Sequence, residues 1–201
     1  FNTAAAWASF TKLLHEEYGY FERPGIDGDA ILSAFEQRAM AAKSDKEFID
    51  VLQLISHNFA DPHFIVGPLD LDDWAIIPTS SDLFGVYDGM AFRIEEVRAG
   101  SDAMAKGVKP HVTVLRINGR TPRAAVEEIT GRPFTALSAP QIGFAFNVAL
   151  AGHRRQPRTL EILEGRQRRK FALAASSDQA NLVADGPLLD VQRDGALGII
   201  R

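Results

Sequence analysis

The sequence predicts an α+β protein, with a helical bundle at the N-terminus followed by short strands and further helices. Three observations carry the prediction. Apolar residues in the first third recur at three- and four-residue spacing, which places them on one face of a helix. From Phe64 onward they gather in short runs bounded by Gly, Pro, Asp and Ser, the pattern of strands. Two later stretches, near 121–131 and 138–152, have cap residues at both ends and read as helices.

Taken in order, Trp7, Phe10, Leu13, Leu14, Tyr18 and Phe21 define a first helix that the Arg23-Pro24-Gly25 break ends. A second helix spans about 29–42 and buries Ile31, Leu32, Phe35 and Ala39. The third starts at a capping box, Ser44 with Glu47, in which each side chain satisfies the other's exposed backbone N–H. Phe48, Val51, Leu52, Ile55 and Phe59 make its apolar face. Strands are expected at 64–66, 74–77, 91–97 and 112–117, and Asn118-Gly119 then signals a tight turn with positive φ. Thr121 caps a helix with Pro122 at its first position and Gly131 past its end. The next helix, 138–150, buries Ile142, Ala145, Phe146, Ala149 and Leu150 and stops at Gly152. Residues 159–163 and 170–173 form two strands joined across Glu164-Gly165-Arg166, and 174–179 resembles a linker. Trp7 and Trp74 read as core anchors.

At 201 residues, 46% hydrophobic and 24% charged, the chain can bury a core as one large or two small domains. A net charge of −4 argues against nucleic acid as the main partner, since phosphate binding needs clustered cations. The charge is uneven: residues 1–70 carry 5 Lys/Arg against 11 Asp/Glu, 71–152 carry 8 against 9, and 153–201 carry 9 against 6. Arg154, Arg155, Arg158, Arg166, Arg168, Arg169 and Lys170 flank the expected hairpin and read as a solvated face, with an acidic partner surface as the alternative. The absence of cysteine removes disulfides, thiolate metal sites and a cysteine nucleophile. No run approaches the roughly 18 apolar residues of a membrane span. The N-terminus lacks a signal-peptide pattern and opens abruptly at Phe1, as if an upstream segment had been removed. No phosphate-loop, dinucleotide-binding or nucleophile-elbow motif is present, so no cofactor is expected.

The stretch Val97-Arg98-Ala99-Gly100-Ser101-Asp102-Ala103-Met104-Ala105-Lys106-Gly107-Val108, with 112–119 after it, resembles the PDZ signature of housekeeping proteases. Gly100-Ser101, Ala103, Ala105, Gly107-Val108 and Ile117-Asn118-Gly119 carry the match, while the family's Gly-Asp pair is replaced by His111-Val112. PDZ modules bind an extended peptide as an added strand and capture its C-terminal carboxylate on the backbone N–H groups of a turn. The resemblance implies Leu83, Phe84, Gly85 and Val86 as that carboxylate loop, with Ile142 and Phe146 on the 138–150 helix as the opposite wall. The alternative is that Phe84 and Val86 are core residues beside an ordinary turn.

A second resemblance joins the first. Asn58-Phe59-Ala60-Asp61-Pro62-His63-Phe64 is similar to the D-x-H junction between the helical segment and the PDZ module of S41-type serine peptidases, the tail-specific and tricorn-like proteases. It implies His63 as the general base for a downstream serine and Asp61 as its orienting group. A serine hydroxyl attacks well only when an imidazole removes its proton and a third group holds that imidazole. The alternative for His63 is a capping or packing role. His57, His63 and Asp61 fit no common zinc spacing, and Ser101, Asp102 and His111 lie where Ser and Asp serve as turn caps.

The implied layout is a helical cap over 1–70, a PDZ-like β-sandwich or barrel with two helices over 71–175, and a linker with the first strands of a truncated peptidase domain over 176–201. Leu188, Leu189 and Val191, then Leu197, Ile199 and Ile200, form apolar runs, and the chain stops within the second. The expectation is a boundary imposed from outside, with the nucleophile beyond Arg201. The resemblance further implies polypeptide substrates or protein C-termini as partners and a periplasmic or extracellular location. A rival from another class is a binding or scaffold protein that keeps the architecture without the chemistry.

Overall fold

The computed structural model describes residues 1–176, 191–194 and 197–200. Helix α1 (Thr3–Glu17) is capped by the Asn2 side chain, which accepts from Ala5 N–H at 3.1 Å, and buries Trp7 and Leu14. It ends earlier than the apolar spacing suggests: Tyr18 is already extended, and Leu13 lies exposed. Tyr18 and Phe21 still pack into the same core, from the turn after the helix rather than from its face. A two-residue hairpin, β1 (Glu22–Arg23) and β2 (Ile26–Asp27), reverses the chain around Gly25.

Helix α2 (Gly28–Met40) is capped by Asp27, and α3 (Asp45–Asn58) by Ser44, whose hydroxyl accepts from Glu47 N–H at 3.2 Å. The return arm of the expected capping box is displaced by one residue, because the Glu47 carboxylate accepts from Lys43 N–H at 2.8 Å. These helices close over a core of Trp7, Ile31, Phe35, Val51, Ile55 and Phe59. Burying each of the larger aliphatic or aromatic side chains stabilises the bundle by about 1.5–3 kcal/mol.

A second core is built on a five-stranded antiparallel sheet in the order β3-β4-β5-β6-β7. Its strands are β3 (Leu83–Tyr87), β4 (Phe92–Val97), β5 (Val112–Ile117), β6 (Arg158–Glu164) and β7 (Gln167–Leu173). The α+β class follows from these elements together. A short helix, α4 (Asp102–Ala105), lies between β4 and β5 and is capped by Ser101. Two helices follow β5. α5 (Pro122–Thr130) starts at the Thr121 cap and stops at Gly131, φ 64°; α6 (Ala139–Ala151) stops at Gly152. Asn118 and Gly119 have φ of 49° and 79°, the positive values their turn requires. His111, at the position of the family's glycine, has φ 62°, so the loop keeps the left-handed geometry without the glycine.

Two strand expectations do not hold. Residues 64–66 form no strand, and 74–77 contribute a single bridge between Trp74 and His153. Their apolar side chains serve packing instead: Ala75 and Ile77 join the second core, and Phe64 the first. Arg158 corrects the reading of the basic cluster as solvent-facing. It is 3% exposed and its guanidinium pairs with Asp82, bonding also to the Leu150 and Ala174 carbonyls. A buried arginine requires such partners.

The helical part and the sheet part meet at the C-terminal end of α3. Asn58 Nδ2 donates to Thr130 O at 2.7 Å, the Asn58 carbonyl accepts from Gln141 Nε2 at 2.9 Å, and the His57 ring bonds Ile129 O at 3.1 Å. β8 (Val191–Asp194) and β9 (Leu197–Ile200) form a separate antiparallel hairpin. Residues 177–190, and with them Leu188, Leu189 and the second half of the expected linker, lie outside the described residues.

Candidate functional site

Helix α3 ends at Phe59, and Ala60 turns the chain with φ 51°. Arg23, from the β1 hairpin, donates to the carbonyls of Phe59 and Ala60 at 2.7 and 2.8 Å, placing a cation on the negative end of the helix. This fixes the exit of the chain and positions Asp61. The Asp61 carboxylate is buried and accepts from three donors: Tyr18 O–H at 2.7 Å on Oδ2, His63 N–H at 2.9 Å on Oδ1, and the His63 ring at 3.2 Å on Oδ1. Burial pushes the Asp61 pKa up, but the hydrogen bonds outweigh it and hold the group below the usual carboxylate range. Burial and the Asp61 hydrogen bond push the Tyr18 phenol well above its ordinary value.

The His63 side chain is 90% exposed. An ionised carboxylate only accepts, so the ring nitrogen facing Asp61, Nδ1, carries hydrogen; in the neutral ring Nε2 then holds the lone pair. That is the tautomer a general base needs. Among the described residues no serine hydroxyl bonds the ring. Tyr18 and Arg23 were not singled out by the sequence reading. The signal for Tyr18 was present, since a tyrosine buried in an apolar face must find a partner for its hydroxyl.

A cleft of about 900 Å³ runs along β3, walled by Pro62, Pro78, Leu83, Phe84, Phe144 and Asn147. Leu83, Phe84, Gly85 and Val86 all line it, but as an edge strand rather than the expected loop; Ile77, Pro78, Thr79, Ser81 and Asp82, from the turn before them, also line the cleft. Strand geometry alternates their exposure: Leu83 and Gly85 face inward, while Phe84 is half-exposed. Ile142 and Phe146 are corrected as well. Both are buried in the sheet core, and α6 presents Gly143, Phe144 and Asn147 to the cleft. The helix is apolar on nearly every side, so its spacing did not distinguish the face toward the cleft from the face toward the sheet.

The remaining candidates are dispersed. His57 points to Ile129 O, away from His63, and burial pulls its pKa down to about 4. Ser101 caps α4, Asp102 accepts from Ala174 N–H and Lys106, and His111 lies beside Glu95 on the surface. Among the described residues no three His, Asp or Glu side chains are arranged to hold a metal ion, and no helix is long and apolar enough to cross a membrane.

No family model and no curated protein matches the sequence. Among solved structures, the chain is similar to the photosystem II D1 C-terminal processing protease, at 11% identity and a TM-score of 0.37. The likeness covers 87% of this chain and 43% of that one, so the chain spans less than half the length of the structure it resembles.

Proposed function

We propose that this chain is the substrate-binding portion of an S41-type serine endopeptidase, in which the cleft along β3 takes an extended polypeptide and His63 is the general base. The observation that carries the reading is an adjacency. Pro62, between Asp61 and His63 in the chain, is part of the wall of the cleft along β3. A peptide held against that edge strand would therefore pass one residue along the chain from His63, whose imidazole a buried carboxylate orients. In this reading Asp61 holds Nδ1, Tyr18 holds Asp61, Nε2 takes the proton of a serine outside these residues, and the acyl-enzyme needs no metal. Leu83, Phe84 and Val86 offer apolar contacts to the substrate side chains, and the expected compartment is the periplasm or the exterior of the cell.

A peptide-binding protein without chemistry is the second reading, favoured by the 90% exposure of His63 and its lack of any bonded partner but Asp61 among the described residues. Peptidase assays on the full-length protein separate the two. His63→Ala is expected to reduce kcat by about 10²–10⁴-fold, the usual contribution of a general base, with little change in KM. Undiminished turnover in His63→Ala would remove the histidine from the mechanism, and no turnover in wild type on any unfolded polypeptide would favour the binding protein.

A further inference from the structure

We infer that Asn147 latches the cleft along β3, standing where the peptide group of an added strand would stand; the inference rests on the reading of that cleft as a peptide groove. A strand adds to a sheet by pairing with the outward N–H and C=O groups of the edge strand. β3 is such an edge. At its midpoint both groups of Gly85 are already bonded: its N–H donates to Asn147 Oδ1 at 2.9 Å, and Asn147 Nδ2 donates to the Gly85 carbonyl at 2.8 Å. A carboxamide carries the donor and acceptor of a peptide bond, so this one side chain reproduces one rung of a β-ladder. The other Nδ2 hydrogen goes to Gly143 O at 2.9 Å, which ties the amide to its own helix.

The surroundings are built for this contact. Asn147 is buried on a helix whose neighbouring positions are almost all apolar, a setting in which an amide is tolerated only with its bonds made. Gly85 permits the approach, because a Cβ there would lie 2.4 Å from Phe146 Cε1 and 2.8 Å from Leu150 Cδ1. No peptide can therefore pair along the whole of β3 until the Asn147 rung opens. When it opens, the two Gly85 groups pass from a side-chain amide to a backbone amide, one pair of bonds replacing another. Asn147 thus sets the threshold for entry and one element of specificity: the ligand residue opposite Gly85 must supply an N–H, which excludes proline.

The test uses the full-length protein, a pool of fluorescent octapeptides with free C-termini and randomised sequence, and amide hydrogen exchange at Gly85. Asn147→Ala is expected to increase retained peptide about tenfold and to speed Gly85 exchange, as the loss of two competing hydrogen bonds implies. Asn147→Asp guards against a folding defect. Its ionised carboxylate still accepts from the Gly85 N–H but offers no hydrogen to the carbonyl, so at a pH where it is ionised it should retain more peptide than wild type and less than Asn147→Ala. Protonation at acidic pH restores the missing donor and should return binding to the wild-type level. Asp82, Glu96 and Arg98 line the same cleft in every variant, so wild type measured at each pH is the reference. Unchanged retention in both variants, with faster Gly85 exchange, overturns the latch and leaves the groove standing. No retention by wild type or by either variant overturns the groove and the latch together.

Discussion

Replacing Gly85 by alanine probes how closely β3 and α6 fit. The added Cβ would stand 2.4 Å from Phe146 Cε1, 2.8 Å from Leu150 Cδ1 and 2.8 Å from the Arg93 carbonyl oxygen. Favourable contact between carbon atoms needs about 3.5–4.0 Å, so the methyl group lacks roughly 1 Å on three sides. Arg93 O belongs to the backbone of β4 and Phe146 is fully buried, so neither can swing into solvent. Overpacking of this kind costs about 1–3 kcal/mol. Relief requires α6 to leave β3, which also breaks both Gly85–Asn147 bonds, at about 0.5–1.5 kcal/mol each. The sum, about 2–6 kcal/mol, corresponds to a fall in Tm of about 4–24 °C for a chain of this size. Thermal melts followed by circular dichroism measure it, with Gly143→Ala as the control. A Cβ at Gly143 meets nothing within 4 Å and should raise stability by up to about 1 kcal/mol, since alanine is the better helix former. Equal Tm for wild type and Gly85→Ala would refute the close fit and, with it, the reason for a glycine in this strand.

Two further outcomes are expected. Burial holds His57 at about 4 against an ordinary 6.5, so between those values the unfolded chain binds a proton that the folded chain refuses. Stability is then whole above pH 6.5 and falls as pH drops toward 4, by at most about 3 kcal/mol; urea melts should lose that part of their slope in His57→Gln, and parallel profiles would count against it. Asp82→Ala strands the buried Arg158 guanidinium and should cost about 3–5 kcal/mol, with partial recovery in Asp82→Ala/Arg158→Met, whereas a loss below about 1 kcal/mol would show that the pair is dispensable.

Local signals made much of the fold legible. Ser44, Thr121 and Gly131 stand at the helix boundaries the sequence places there, and β5 occupies the stretch read for it, because caps and apolar periodicity act over a few residues. What stayed hidden depends on docking. Trp74 to Ile77 is apolar yet forms a core wall without a strand, and burial alone does not specify hydrogen bonding to a neighbour. Leu83 to Val86 carries the apolar content of a strand, whereas the PDZ resemblance implies a turn there. For the site, Asp61 and His63 are implied by the resemblance to the D-x-H junction, whereas Tyr18 comes from the turn after α1, 43 residues before Asp61 in the chain. Asn147 could have been found: a lone asparagine among Phe146, Val148, Ala149 and Leu150 poses the question of what satisfies it.

The join at Asn58 has a consequence for how the molecule can bend. Apolar faces slide over one another at small cost, because dispersion has no preferred direction, whereas hydrogen bonds lose strength steeply as they are misaligned. Here one asparagine bonds three residues on two segments: its Nδ2 reaches Thr130 O and its Oδ1 accepts from Arg132, both at the end of α5, and its carbonyl accepts from Gln141 on α6. Such a joint resists shear more than it resists separation. Since Asn58 stands three positions before Asp61 and Gln141 lies on the helix that flanks the cleft, any relative displacement of the two halves has to pass through this directional contact. The bundle is therefore fastened to the sheet in register, like a keyed shaft rather than a greased bearing.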